Sequence, residues 1–239
     1  MTAAVPAGGL IRGPQLEILV PRSRGVPFDE ALRIAEQGRY VIASNARMSK
    51  ALVGSKPWDK PREYISEVLC CWTGTMTAYA KPGEKLGATI EYTDPKTEQR
   101  WVFPVPKQFV GMKDVILVAE HPDYTLEREG KNRVVQAGIV DVVENFPMRN
   151  ERAYLADAKH GIPQGDAVSG IERNARFLWR TDSTVSPAAR GDHIRGDDYI
   201  MRCVRLNVRP SIGFGVAVEA PEPKAPQPAE AKAKQGDKI

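Results

Sequence analysis

The last strongly patterned stretch of the chain, residues 177–219, constrains the fold more than any other segment. From Ile212 to Val218, large apolar residues alternate with Gly or Ala, and a period of two is typical of one face of a β-strand. At the other end of the stretch, Phe177–Trp179 is a short apolar run that indicates another strand. We therefore expect this segment to be anchored in a sheet at both ends.

Charged and polar side chains fill the interval between these two predicted strands. Few apolar residues interrupt the interval, so most of it cannot belong to a core. Arg, Tyr, Asp and Asn held between rigid strands are typical of recognition surfaces. The residues concerned are Arg190, Asp192, His193, Arg195, Asp197, Asp198, Tyr199, Arg202, Arg205, Asn207 and Arg209. The rest of the chain is then expected to hold this surface in place.

Charge and hydropathy exclude several classes of protein. The net charge of +4 is mild and acids are interspersed with bases, so we expect no nucleic-acid partner. No apolar run has the length of a membrane span, and residues 1–13 lack the basic-then-apolar order of a secretory signal. Three cysteines, with Cys70 beside Cys71, do not make a disulfide framework. These features predict a cytoplasmic protein and leave display on a surface or a virion open.

Two helices are predicted in the first quarter of the chain, after a strand at 16–20. Over residues 28–37, apolar residues recur at helical spacing, acids occupy the first turn, and Gly38 follows as a stop. A second helix begins at Ser44 or Asn45 and ends at Gly54.

From Pro57 onward the pattern changes to β. A hairpin is predicted from two alternating arms, and residues 144–176 are predicted to be a long irregular loop. The candidate strands are 72–79, 88–93, 99–105, 115–119, 134–135 and 139–143. This order of elements predicts an α+β domain with one antiparallel sheet. We place that domain at 15–219, with a flexible segment at 1–14 and a disordered Pro/Ala/Lys/Glu-rich tail at 220–239.

Several short motifs resemble a known family. Gly38-Arg39-Tyr40 followed by Ser44–Met48, and Ala189–Gly191 followed by Arg209–Val216, are similar to elements of the C-type-lectin-like fold in its formylglycine-generating-enzyme-like branch. Within that branch the chain looks most like the variable proteins of diversity-generating retroelements, which are found in archaea, their viruses and small-genome bacteria. The resemblance implies two helices packed on short antiparallel strands, with the N- and C-terminal strands paired.

The resemblance also implies a function. Such proteins bind a ligand without catalysis, through a segment whose codons undergo adenine-directed mutagenesis; here that segment is about 180–212. The ligand is expected to be a macromolecule, in particular a protein, with Tyr199 as an aromatic anchor, the acids and Arg205 setting charge, and Asn207 hydrogen bonding. The predicted contact residues are Asp192, His193, Ile194, Asp197, Asp198, Tyr199, Arg205, Asn207 and Ile212.

Two alternatives remain open at this point: a metal-dependent enzyme of the same branch, and a structural or assembly protein of a viral particle. Copper-binding members of the branch use two cysteines near the C-terminus, where this chain has only Cys203. His121, His160 and His193 share no ligand spacing that would suit iron. The acids near His193 could gather a hard cation, but they form no calcium-loop motif. We therefore predict no catalytic residue, no metal and no cofactor, and the oligomeric state stays open.

Overall fold

The structure is a computed structural model. It describes residues 9–13, 16–20, 26–53, 56, 59–68, 70–147, 152–168, 175–179, 184–195, 198–203 and 214–218. For 52–53, 65–68, 70, 175–179, 186–195, 198–203, 214–215 and 217 the description is that of the backbone.

Fifteen β-strands and three α-helices run through these described residues. The helices are α1 (Phe28–Gly38), α2 (Asn45–Val53) and α3 (Lys60–Val68), and a short 3-10 helix covers Lys107–Phe109. The strands are β1 (Leu10–Arg12), β2 (Glu17–Leu19), β3 (Cys70–Tyr79), β4 (Thr89–Thr93), β5 (Arg100–Pro104), β6 (Ile116–Glu120), β7 (Tyr124–Glu129), β8 (Asn132–Ala137), β9 (Asp141–Val143), β10 (Arg152–Ala156), β11 (Pro163–Val168), β12 (Ala175–Trp179), β13 (Val185–Arg195), β14 (Asp198–Cys203) and β15 (Phe214–Val218).

Strand β3 is the centre of the larger sheet, which has 11 strands. One edge of β3 pairs with β13 over almost its whole length, from Cys70 to Ala78. The other edge is shared, because β15 pairs in parallel with residues 70–72 and β6 pairs antiparallel with residues 75–79. Every residue from 71 to 79 is buried. A strand that is covered on both faces and paired on both edges is the most constrained element of such a sheet.

Gly74 marks the point where the partner on the second edge of β3 changes. In the pairing with β13, Trp72 and Met76 lie opposite Ala189 and Pro187, so β3 bulges between them. The Gly74 N–H donates to the Ala43 carbonyl and the Gly74 carbonyl accepts from the His121 N–H, both at 2.8 Å. The bulge therefore ties the stretch before α2 and the end of β6 to the central strand.

A second sheet of four strands, in the order β4-β5-β8-β7, packs over one face of the larger sheet together with α1. The main core lies between them and contains Phe28, Trp72, Trp101 and Phe103, with Phe28 meeting Trp72 edge to face at 5.4 Å. Both tryptophans are buried core residues.

Helix α1 follows its sequence pattern closely. Phe28, Ala31, Leu32 and Ala35 are buried, which is the apolar face that the spacing predicts. The helix ends where Arg39 adopts a left-handed backbone, with φ 57° and ψ 39°, and its N–H reaches back to the last-turn carbonyls.

Two smaller clusters cover the opposite face of the larger sheet. One contains Ala43, Met48 and Cys71 and lies under α2. The other brings Tyr154 and Ile162, from the β10–β11 region, against Ile116 of β6. The sheet path runs β3-β13-β14-β12-β10-β11, so its far end curls back and packs across β6 and β9.

The expected fold class is wrong. An α+β, C-type-lectin-like domain with two helices on one antiparallel sheet does not describe a chain with fifteen strands, three helices and two sheets among its described residues. Three of the strand pairings are parallel, namely β12 with β14, β15 with β3, and β5 with β8. The fold is predominantly β. The first and last patterned strands do pair, through β2 and β15, with Val216 opposite Leu19.

Proline and glycine account for two of the elements that the sequence pattern missed, α3 and β11. Pro57 and Pro61 argued against a helix at the position of α3. Pro61, however, lies in the first turn of α3, where a backbone N–H has no partner within the helix, so proline is tolerated there. Strands β10 and β11 fall inside the predicted loop 144–176. Pro163 and Gly165 make β11 look unstructured, yet β11 ends the sheet, and an edge strand tolerates both residue types.

No helix among the described segments is long and apolar enough to cross a membrane.

Replacing Gly74 by alanine tests the central position of β3. A Cβ at this position would lie 2.3 Å from the Ile42 carbonyl oxygen and 3.0 Å from the Cβ of His121. We expect Gly74→Ala to lower the free energy of unfolding by about 3 kcal/mol, because backbone must move to accommodate the methyl group. Urea unfolding measures the change. Gly87→Ala is the matched control, since its nearest contact would be 3.5 Å, and an equal loss in both variants would contradict the central role of β3.

Candidate functional site

The predicted ligand-binding segment coincides in part with a β-hairpin in the middle of the larger sheet. We call β13 and β14 the display hairpin; residues 196 and 197, which join the two strands, are not described. β3 pairs with one side of this hairpin and β12 with the other. Neighbouring strands on both sides restrain the hairpin more than a free loop would be restrained.

The end of the display hairpin extends beyond the strand that supports it. Gly191 pairs with Cys70, the first residue of β3, so Asp192–Arg195 continue past the start of that strand. Beyond the last residue paired with β3, the backbone of β13 is no longer constrained by the hydrogen bonds of that pairing.

An unequal pairing sets the geometry of this extended end. The flanking pairs are Gly191 with Ile200 and Arg195 with Asp198. Between them, Asp192, His193 and Ile194 on β13 lie opposite Tyr199 alone on β14, which makes a bulge. Bulges bend a strand and redirect its side chains, and they are frequent next to binding and active sites.

The structure brings together five of the nine predicted contact residues. Asp192, His193, Ile194, Asp198 and Tyr199 all lie in or next to the bulge. The other four, Asp197, Arg205, Asn207 and Ile212, fall outside the described residues.

A cluster of charged side chains around the buried His160, which sequence reasoning did not predict, lies on the opposite side of β3. We call it the His160 cluster, and it consists of His160, Glu120, Asp141 and Lys159. His160 is in the β10–β11 connection, and its side chain is 7 % exposed. Its Nδ1 lies 3.0 Å from Oε1 of Glu120 and its Nε2 lies 3.0 Å from Oδ2 of Asp141.

Asp157 shapes the loop that presents His160. Its carboxylate accepts hydrogen bonds from the backbone N–H groups of Lys159, His160 and Ile162, at 3.0, 2.8 and 2.8 Å. These bonds form a local turn of the kind that Asp side chains favour. Lys159 then forms an ion pair with Asp141.

Thr75 and Asn45 extend the cluster into the core. The Thr75 hydroxyl donates to Oε2 of Glu120 at 2.7 Å and accepts from the Asn45 N–H at 2.8 Å. The Asn45 amide donates to the Gly161 carbonyl at 2.6 Å. One connected set of polar groups therefore joins β3, β6, β9, α2 and the β10–β11 loop.

Electrostatics in the cluster favour a protonated histidine. The hydrogen bond to Glu120 is the main cause that raises the pKa of His160, while burial opposes it. Lys159 is the main cause that lowers the pKa of Asp141. A cation between two carboxylates, with a lysine on one of them, is a stabilising arrangement when its hydrogen bonds are satisfied.

The chemistry of this cluster fits a structural role better than a catalytic one. Both ring nitrogens of His160 already face carboxylates, so neither is available to abstract a proton from a substrate. No group of three or more His, Cys, Asp or Glu side chains suited to a metal occurs in the described part of the chain.

In the sequence, each residue of the His160 cluster has a recognisable local context, but no pattern links the residues to one another. Glu120 ends an apolar strand, Asp141 interrupts another, and His160 precedes a Gly-Ile-Pro turn. These residues lie up to 40 positions apart, and no local spacing marks them as partners. Of the cysteines named in the sequence analysis, Cys71 is buried, whereas the side chain of Cys203 lies outside the described part of the structure.

No protein-family model matches the sequence, and comparisons with curated proteins and with solved structures find no match.

Replacing Thr75 by valine tests the link between the cluster and β3. The substitution keeps the shape of the side chain but leaves the Asn45 N–H and one Glu120 oxygen without this partner. We expect it to lower the free energy of unfolding by about 1–3 kcal/mol. Thr125→Val, at an exposed position of β7, is the control and should change stability by less than about 0.5 kcal/mol. A neutral Thr75→Val would mean that the bridge contributes nothing to folding.

Proposed function

We propose that the protein binds a macromolecular ligand, in particular another protein, through the end of the display hairpin and residues 204–212, without catalysis. We further propose that these positions are a variable surface whose codons are diversified by a retroelement, as the sequence resemblance implies. The surface would be supported by the predominantly β frame described above.

The bulge in the display hairpin is the observation that supports this proposal most. It brings together five residues of mixed chemistry, including Tyr199 and His193, where the backbone of β13 continues past the start of β3. Tyr combines a large contact area with few rotatable bonds, and Asp and His supply charge and hydrogen bonds. This is the composition expected of a protein-binding surface and not of an apolar small-molecule pocket.

The position of the bulge also supports a surface that tolerates substitution. Residues 192–194 lie beyond the last pair between β13 and β3. We therefore expect that a change of side chain there does not alter the register of β3. Frame residues such as Leu19, which is buried opposite Val216, have no such freedom. The predicted cytoplasmic location and the predicted lack of a nucleic-acid partner stay predictions.

Simultaneous substitution of the five hairpin positions tests the division between surface and frame. We expect a variant with alanine at Asp192, His193, Ile194, Asp198 and Tyr199 to keep the wild-type melting temperature, because surface changes each have small effects. Leu19→Ala, the frame control, should cost about 2–5 kcal/mol. If the five-alanine variant is destabilised as much as Leu19→Ala, the hairpin residues belong to the frame and the proposal fails.

A selection experiment tests binding itself. One library randomises the same five hairpin positions; a comparator library randomises five exposed positions on the outer face of the small sheet, Thr89, Glu91, Thr125, Glu127 and Gln136. Both are displayed on yeast and sorted against purified serum albumin. We expect target-specific binders from the hairpin library and few from the comparator. Equal yields would show that the hairpin is no better suited to binding than any exposed strand.

A further inference from the structure

We propose that His160 is a pH-sensitive clamp: its imidazolium closes the far end of the larger sheet onto β6 and β9, and loss of its proton releases that end. The hydrogen-bond geometry carries this inference. Each ring nitrogen lies 3.0 Å from a carboxylate oxygen. A neutral imidazole has a single N–H, so one of the two contacts would set a nitrogen lone pair against a carboxylate oxygen. Both contacts are favourable only when both nitrogens are protonated.

The groups that surround His160 give it a net negative environment. Glu120 approaches from β6, Asp141 from β9, and Asp157 from the same loop, where its carboxylate is occupied by three backbone N–H groups. Among the described residues, Lys159 is the one cation that bonds to these groups, and it bonds to Asp141. From β3 and α2, the described groups that reach the cluster are the neutral side chains of Thr75 and Asn45. Without the proton of His160, the three carboxylates would have Lys159 as their one cation in the described part of the chain.

The clamp joins segments that are distant along the chain. Its loop connects β10 with β11, whereas its acceptors lie on β6 and β9. Apolar contacts of Tyr154 and Ile162 with Ile116 lie beside it and do not depend on pH. Loss of the clamp is therefore expected to loosen the β10–β11 end without unfolding the main core.

The direction of the pH dependence follows from linkage. The pKa of His160 is raised on folding, so its contribution is fully present below the unfolded value, about 6.5, and is lost as pH rises through the folded value. His121, next to Glu120 in sequence, acts in the opposite sense. Its Nδ1 accepts the Ile42 N–H at 3.1 Å and burial lowers its pKa, so its contribution is lost as pH falls below about 6.5. Of these two histidines, only His160 therefore contributes to a change of stability with pH above about 6.5.

A pH series of unfolding equilibria on the full-length chain tests the clamp. In the window between the unfolded and folded pKa values of His160, the wild-type unfolding constant should rise by up to about tenfold per pH unit. In Glu120→Gln the amide can donate to a neutral ring nitrogen, so this dependence should become flatter. His193→Gln is the control; it removes a histidine outside the cluster and should keep the wild-type slope. Equal slopes in wild type and Glu120→Gln would overturn the proposal.

If Glu120→Gln does not fold, a second measurement on the wild-type chain tests the clamp. Heteronuclear NMR of the imidazole nitrogens in the wild-type chain follows the protonation of both histidines across a pH series. We expect His160 to titrate above about 6.5 and to carry protons on both nitrogens below its pKa, whereas His121 should titrate below about 6.5. A His160 that titrates at or below about 6.5 would refute the clamp. Neither measurement needs a ligand, so a result that refutes the clamp does not bear on the proposed binding function. An effect of pH on ligand binding, transmitted through β12, would by contrast rest on that function.

Discussion

The pairing of β3 on both of its edges is the constraint on which the rest of the structure depends. This strand is buried from residue 71 to 79, and it joins β13 on one edge to β15 and β6 on the other. Where the partner on that second edge changes, β3 bulges in its pairing with β13, and the Ile42 carbonyl lies too close to Gly74 to leave room for a side chain. Helix α1 and the small sheet then cover one face, while α2 and the curled β10–β11 end cover the other.

This arrangement creates two polar features, the His160 cluster and the end of the display hairpin, which differ in how much substitution they tolerate. On the β6 side of β3, the curl of the sheet brings His160 to Glu120 and Asp141, where each ring nitrogen of His160 has a carboxylate partner. Such a network tolerates little change, because an unpaired buried group loses the hydrogen bonds that it had in water. At the end of β13, by contrast, Asp192–Ile194 lie beyond the central ladder. The proposed function places variation at the second feature, where the frame does not depend on side-chain identity.

Sequence patterns predicted the local elements better than their assembly. The apolar spacing in α1 and the alternation around Val216 are local properties of the chain, and both elements form as predicted. The β10 and β11 strands depend on backbone pairing with distant partners, and Pro163 and Gly165 of β11 pointed to a loop. The misassigned fold class has the same origin, since the number of sheets and the parallel pairings are set by contacts between distant residues.

The candidate sites show the same division. Asp192, His193, Ile194, Asp198 and Tyr199 are close in sequence, and a hairpin brings them together. Glu120 and His160 are 40 positions apart, and their meeting depends on the curl of the sheet, which no local pattern encodes. A buried ion pair between such residues could be predicted only from the tertiary fold.

The central claim is that a fixed frame carries a variable surface, and the DNA downstream of the gene tests it most directly. The account predicts a near-copy of the codons for residues 180–218, differing from them only at adenines and lying beside a reverse-transcriptase gene. The differences should fall at the hairpin codons, such as those of His193 and Tyr199, and not at codons for buried frame residues such as Val216. A downstream region without such a copy, or with differences spread over frame codons, would contradict the claim.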